Sequence, residues 1–316
     1  MVYGWIALTL FFLTAKGYSG KRISGCVRRP EDPFLFNFLR MIFCILIGAL
    51  LVVAEGSLPY LRIEGGMLAI CLLAGVANAA FLVGWMAAVQ KNSMVSVDVG
   101  MTLGSLLPAL LCFLLFGEPI SIPKLLGFLL VLIAAVILAD RSDRSQKKGG
   151  RLGILLLILA AIGDGMTGFV QQLYRQFYSE TGSFTHGVIY PKTVYHFYTY
   201  VFSALALFAF LLVKALLKKG KRVDAPSEAE PRRALPIRVI LHILAMAICL
   251  FAANYLQTVI TTNCGMSSQI LFPLLKGGCL ITVSFVAMIF FGERITKRTV
   301  LGLLFALAGI ATMNLL

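Results

Sequence analysis

Long apolar runs dominate the chain, broken at short intervals by polar and basic clusters. The runs at 35–54, 152–169, 193–217 and 301–316 each approach or exceed the length of roughly 20 residues that crosses a bilayer. Backbone polar groups in hydrocarbon must be satisfied within their own segment, so these runs are predicted helices. They lack the period-2 alternation of an outer-membrane barrel. Ten spans are predicted, near 2–20, 34–54, 66–89, 93–116, 122–139, 152–173, 190–217, 237–261, 266–291 and 297–315. The longest polar linker, 218–236, carries Lys218, Lys219, Lys221, Arg222, Arg232 and Arg233. A second basic linker, 140–151, divides the chain into halves 1–139 and 152–316.

Composition agrees with lipid as the solvent. The chain is 59% hydrophobic and 13% charged, with mean hydropathy +0.90, whereas a soluble domain is about half apolar and a quarter charged. The net charge of +14 does not predict a nucleic-acid partner, because the basic residues sit in short linkers where they act as topology signals. Linkers leading from odd to even spans hold 21 of them; the opposite side holds four, Arg62, Lys124, Arg175 and Lys192. The positive-inside rule then predicts a multi-pass protein of the cell (inner) membrane with both termini outside. The N-terminus has no charged n-region and no small-residue cleavage site, so 2–18 reads as a retained span. The seven cysteines (26, 44, 71, 112, 249, 264, 279) have no metal-ligand spacing and fall mostly inside spans; no metal or other cofactor is expected.

The two halves echo each other. Phe116-Gly117-Glu118-Pro119-Ile120 matches Phe291-Gly292-Glu293-Arg294-Ile295 at an offset of 175. The match continues through Leu126-Gly127 and Leu301-Gly302, then Leu129/Leu304 and Leu132/Leu307. Five spans per half is an odd number, so the second half enters the membrane upside down. Inverted repeats of this kind are the architecture of secondary transporters, with the substrate site at the repeat interface near the midplane.

The same residues resemble the EamA-type branch of the drug/metabolite transporter superfamily. The features that carry the resemblance are the FGE-x-I turn between spans 4 and 5 and again between 9 and 10, with its following Leu-Gly pair. Lys16 late in span 1, Asn37-Phe38-Leu39-Arg40 at the start of span 2, and Pro108 and Pro273 in spans 4 and 9 also fit. The resemblance covers nearly the whole chain. It implies an all-α membrane protein of ten transmembrane helices in two inverted five-helix repeats, 1–139 and 152–316. The charge bias here runs opposite to that of many members of the group.

Ionisable groups within spans are costly unless paired or wet, so each is a functional candidate. These are Lys16, Arg40, Asp98, Asp164, His196 and Lys276. Lys16 either snorkels to the surface or serves the site. Arg40, at the start of span 2, reads as a boundary residue. Asp98 shares a helix face with Thr102 and Ser105 and lies either in a cavity or near the membrane surface. Asp164 has Thr167 and Gln171 at i+3 and i+7, among Gly163, Gly165 and Gly168 that permit close helix approach. Span 7 places Lys192, Tyr195, His196, Thr199 and Ser203 on one face. Span 8 carries the cleanest polar stripe, Asn254, Gln257, Thr258 and Thr261, whose alternative is interhelical hydrogen bonding. Span 9 has Gln269, Phe272 and Lys276 in register, with Lys276 too deep to snorkel easily. Span 3 offers Asn78, Phe81 and Trp85, although Trp85 also fits an interfacial anchor.

These residues predict a secondary active transporter of a small polar organic solute, working by alternating access. The expected substrate-binding set is Lys276, Asp164, Asn254, Gln257, Thr258, Thr261, Tyr195, His196, Gln269, Asn78 and Trp85. Asp98 and Asp164 are the coupling-ion candidates, since a desolvated carboxylate can hold a proton and release it to water. No Walker A loop is present, so ATP is not the energy source within this chain. The alternative is an exporter of cationic or amphipathic drug-like compounds, using aromatics for cation–π contacts. A membrane-embedded enzyme would need catalytic clusters, but there are only three histidines (186, 196, 242) and no HExxH pattern. A channel would need a ring built by oligomerisation.

Overall fold

The computed structural model describes residues 2–26, 31–91, 97–98, 101–102, 104–117, 121–138, 150–185, 187–220, 236–266, 268–292 and 296–313. Among the described residues there are ten α-helices: α1 (Val2–Ser24), α2 (Asp32–Ala54), α3 (Gly65–Lys91), α4 (Leu106–Phe116), α5 (Ile122–Leu138), α6 (Gly150–Tyr178), α7 (Lys192–Gly220), α8 (Ile237–Asn263), α9 (Ser268–Phe291) and α10 (Lys297–Met313). A single 3-10 turn, Leu58–Leu61, lies between α2 and α3. Six helices contain stretches long and apolar enough to cross a membrane: those of α2, α3, α6, α7, α8 and α9. Large apolar side chains such as Leu50, Val53, Leu114, Leu216, Ile289 and Leu304 are exposed on the outside of the bundle. A soluble monomer rarely shows apolar surface on this scale; the architecture is that of an all-helical membrane protein.

Local chemistry sets the helix ends. Pro33 sits in the first turn of α2, where its missing N–H is no loss. Gly117 ends α4 in the left-handed conformation, φ 62°, with its N–H on Phe113 O at 3.1 Å. Gly292, the matching residue of the second FGE turn, has φ 65° after α9. A side chain at either position would strain the backbone.

Span 4, expected as one helix over 93–116, has a break at Ser105 among its described residues. The described residues 97–98, 101–102 and 104 are helical, and α4 proper starts at Leu106. At the join, Ser105 N–H bonds Thr102 O with 3-10 spacing and its hydroxyl bonds the same carbonyl. Pro108 can offer no N–H to Gly104 O, which removes one of the bonds that would hold a regular helix across this point.

Helix pairing places the site. α3 packs along α6 and α7, α1 along α8 and α9, α2 along α7 and α8, and α5 along α10. Small residues bring backbones together where this matters most. A Cβ at Gly163 of α6 would meet Phe81 N and Ala77 O of α3, and one at Gly84 of α3 would meet Ala160 of α6. Such small-residue contacts are how membrane helices approach closely. The core divides into clusters around Met41, Trp85, Tyr200 and Phe251, around Met67, Phe169, Tyr174 and Tyr195, and around Ile6, Ile260 and Leu271.

Candidate functional site

Between these clusters lies a polar cavity of about 60 Å³, room for a few water molecules. Six helices build its wall. α1 supplies Leu13 and Lys16, and α3 supplies Asn78 and Phe81. Asp164, Thr167, Gly168 and Gln171 come from α6, and Tyr195, His196 and Thr199 from α7. Asn254 and Gln257 of α8 and Phe272, Leu275 and Lys276 of α9 complete it. Spacings of three, four and seven residues put each set on one helix face.

The charged centre is an ion pair. Lys276 Nζ lies 2.5 Å from Asp164 Oδ2, with the two side chains 21% and 17% exposed. Thr167 does not compete for the carboxylate; its hydroxyl donates back to Gly163 O at 2.6 Å. The Lys16 ammonium points over the Phe81 ring, 5.1 Å from its centroid. It stands within electrostatic range of Lys276, Asp164 and Arg40.

A hydrogen-bonded floor supports this centre. Thr258 is fully buried, and its hydroxyl donates to Asn254 O at 3.1 Å. Gln171 Nε2 donates to the Thr258 oxygen, and His196 Nε2 shares a hydrogen bond with the same hydroxyl at 2.9 Å, its direction set by the imidazole tautomer. Asn254 Nδ2 donates to Tyr200 OH at 3.1 Å. Asn78 Nδ2 donates to Ser203 Oγ at 2.9 Å, tying α3 to α7, while Asn78 Oδ1 accepts no hydrogen bond among the described residues. Tyr195 is held flat against Tyr174, with ring centroids 4.4 Å apart and planes 17° apart. Four helices, α3, α6, α7 and α8, are thereby locked in register behind a wall that still offers polar atoms to the cavity.

Seven of the eleven expected site residues meet at this cavity: Lys276, Asp164, Asn254, Gln257, Tyr195, His196 and Asn78. Thr258 stands one layer behind, as the hydrogen-bond partner that orients His196 and Gln171. Thr261 is buried and bonds within its own helix, to Gln257 O and Thr258 O at 3.1 and 2.9 Å. The Gln269 side chain lies outside the described residues. Trp85 is a correction: it is buried among core residues and its ring fills the space where a Cβ of Gly20 would stand. Asn78 and Phe81 face the cavity, but one turn later α3 is covered by α1. Asp98 lies off the cavity wall yet close enough to Lys276 to feel its charge.

Arg40 is a second correction. It is no boundary residue: its side chain is 1% exposed, inside the bundle, with Nη2 donating to Asn37 Oδ1 and with Nε and Nη1 making no hydrogen bond among the described residues. Asn37 in turn donates to Pro33 O and Leu82 O, at 2.7 and 3.0 Å. Its sequence signal was the Asn37–Arg40 spacing of three, which puts both side chains on one face.

No family model matches the chain. An uncharacterized protein of Haemophilus influenzae is 24% identical over 223 residues, covering 71% of this chain and 67% of its own. A crystal structure of a protein superposes with a TM-score of 0.66 at 16% identity, across 98% of this chain and 97% of that one. The likeness to that structure spans nearly all of both chains and is one of fold.

Proposed function

We propose that the chain is a secondary active transporter, moving a small polar organic solute across the cell (inner) membrane by alternating access. The observation that carries this reading is the Lys276–Asp164 pair facing a polar cavity that six helices enclose, α1 and α3 from the first half and α6 to α9 from the second. Charges this deep in an apolar bundle are costly and need a use or a partner, and a transporter fold keeps its solute at the interface of its halves.

Helix pairing supports an inverted repeat of ten spans, 1–139 against 152–316. Exchanging each helix with the one five places on turns the α3–α6 contact into α8–α1, α3–α7 into α8–α2, and α4–α6 into α9–α1. The α2–α7 and α5–α10 contacts map onto themselves. The glycines of the two FGE turns share one backbone conformation. These features and the FGE turns favour the EamA-type branch of the drug/metabolite transporter superfamily as the family. Asp164 and Asp98 are the proton-coupling candidates, and both termini are proposed to lie outside. An exporter of cationic or amphipathic compounds is the second reading, favoured by the aromatic walls Phe81, Tyr195 and Phe272.

Alternating access is tested at Gln257. With the seven native cysteines replaced, a Gln257→Cys variant in sealed vesicles of either orientation is expected to react with an impermeant thiol reagent from each face. Saturating solute should slow both reactions. A cysteine that reacts from one face only, under every solute and ion condition, contradicts the reading.

A further inference from the structure

We propose that the transported solute is an anion, whose carboxylate or phosphate docks between the ammonium groups of Lys16 and Lys276. The inference rests on the transport reading and names its substrate class. Lys16 is 9% exposed, lines the cavity, and has no carboxylate in ion-pair contact among the described residues. Its contact is the Phe81 ring, and a cation–π contact repays much less than burial of an ammonium costs. Arg40 adds a second buried cation, with two guanidinium nitrogens unbonded among the described residues. Asp164 is committed to Lys276, and Asp98 stands off the cavity wall. Three cations, Lys16, Lys276 and Arg40, therefore face two carboxylates in this neighbourhood.

A cationic solute would meet two ammonium groups and compete with Lys276 for one carboxylate. An anionic one supplies the charge that Lys16 lacks and displaces Asp164 from Lys276. Charge-assisted bonds to two lysines can hold a carboxylate or phosphate, while Phe81, Phe272 and Tyr195 offer flat apolar faces to the rest of the molecule. The site is lined by six helices, and its chemistry is shared by the phosphate of a lipid headgroup and by a water-soluble acid. Binding of a soluble acid in detergent without added lipid separates the two sources.

The test uses the purified full chain in a neutral detergent without added lipid. It is heated with small carboxylates and phosphomonoesters, each beside its amide or its alcohol, and with a set of organic ammonium ions. At least one anion is expected to raise Tm where its neutral partner does not. Lys16→Met is expected to melt at or above the wild type without ligand, because an uncompensated buried cation is gone. It should bind the stabilising anion about tenfold more weakly or worse, the contribution of one charge-assisted contact. A lysine that only packs on Phe81 gives the reverse, a lower Tm with anion affinity unchanged, and that result overturns the proposal. Stabilisation by ammonium ions or neutral partners alone, or by no anion at all, overturns it too. A neutral or cationic solute that undergoes carrier-type exchange in vesicles would remove the anion assignment and leave the transport reading standing.

Discussion

Lys276→Met is expected to abolish solute transport and to lower the stability of the protein, and the two losses should come apart in a double variant. The lysine holds Asp164 at 2.5 Å in a site that retains some water contact, the side chains being 21% and 17% exposed. Breaking a buried pair by removing one partner costs about 3–5 kcal/mol. Residual hydration should place this case at or below the lower end of that range. The cost belongs to the carboxylate left behind, not to the missing ammonium. Lys276→Met combined with Asp164→Asn removes that carboxylate's charge and should melt close to the wild type. It should still fail to transport, because the cation that receives the solute is gone. Uptake by reconstituted vesicles and thermal unfolding of the same preparations separate the two effects. Transport retained in Lys276→Met would show that the lysine serves structure alone.

Gly163→Leu is expected to have the largest effect on folding. A Cβ there would press on the Phe81 N and Ala77 O of α3, which are backbone atoms and cannot turn aside as a side chain can. Overpacking costs about 1–3 kcal/mol where neighbours relax; here α3 and α6 must separate, so the loss should reach or pass the top of that range. Asp164 is the next residue, so the same displacement draws it from Lys276 and should end transport in whatever protein survives. The control is Gly4→Leu in α1, where a Cβ meets nothing within 4 Å. That change should stay within about 0.5 kcal/mol. Equal melting of Gly163→Leu and the wild type would mean that α3 and α6 do not meet as described.

The sequence made the helices legible because a bilayer demands runs of a length that few other folds use. It also made the polar stripes of α6, α7 and α8 legible, since spacings of three and four are fixed by the helix itself. What it could not supply is where a stripe stops being wall. Asn254 and Gln257 reach the cavity, whereas Thr261, one turn on, turns its hydroxyl to its own helix. Asn78 and Phe81 reach it, whereas Trp85 meets α1. The end of a stripe is decided by the neighbouring helix, and periodicity carries no trace of that neighbour. Arg40 reads as a boundary residue in the sequence for a related reason. α2 begins at Asp32, which puts Arg40 more than two turns inside, and the burial comes from contacts that the local sequence does not encode. Lys16 stayed open between surface and site because only the position of Phe81 across the cavity decides it.

Counterflow distinguishes alternating exposure of one cavity from passage through an open pore. Proteoliposomes of the purified chain are loaded with an unlabelled solute that stabilises the protein, then diluted into trace labelled solute without ATP. Label is expected to accumulate transiently inside above its outside concentration, saturably, and not at all with the Lys276→Met, Asp164→Asn double variant. Label that only equilibrates down its gradient without saturation, or that moves equally well through the double variant, would contradict alternating exposure.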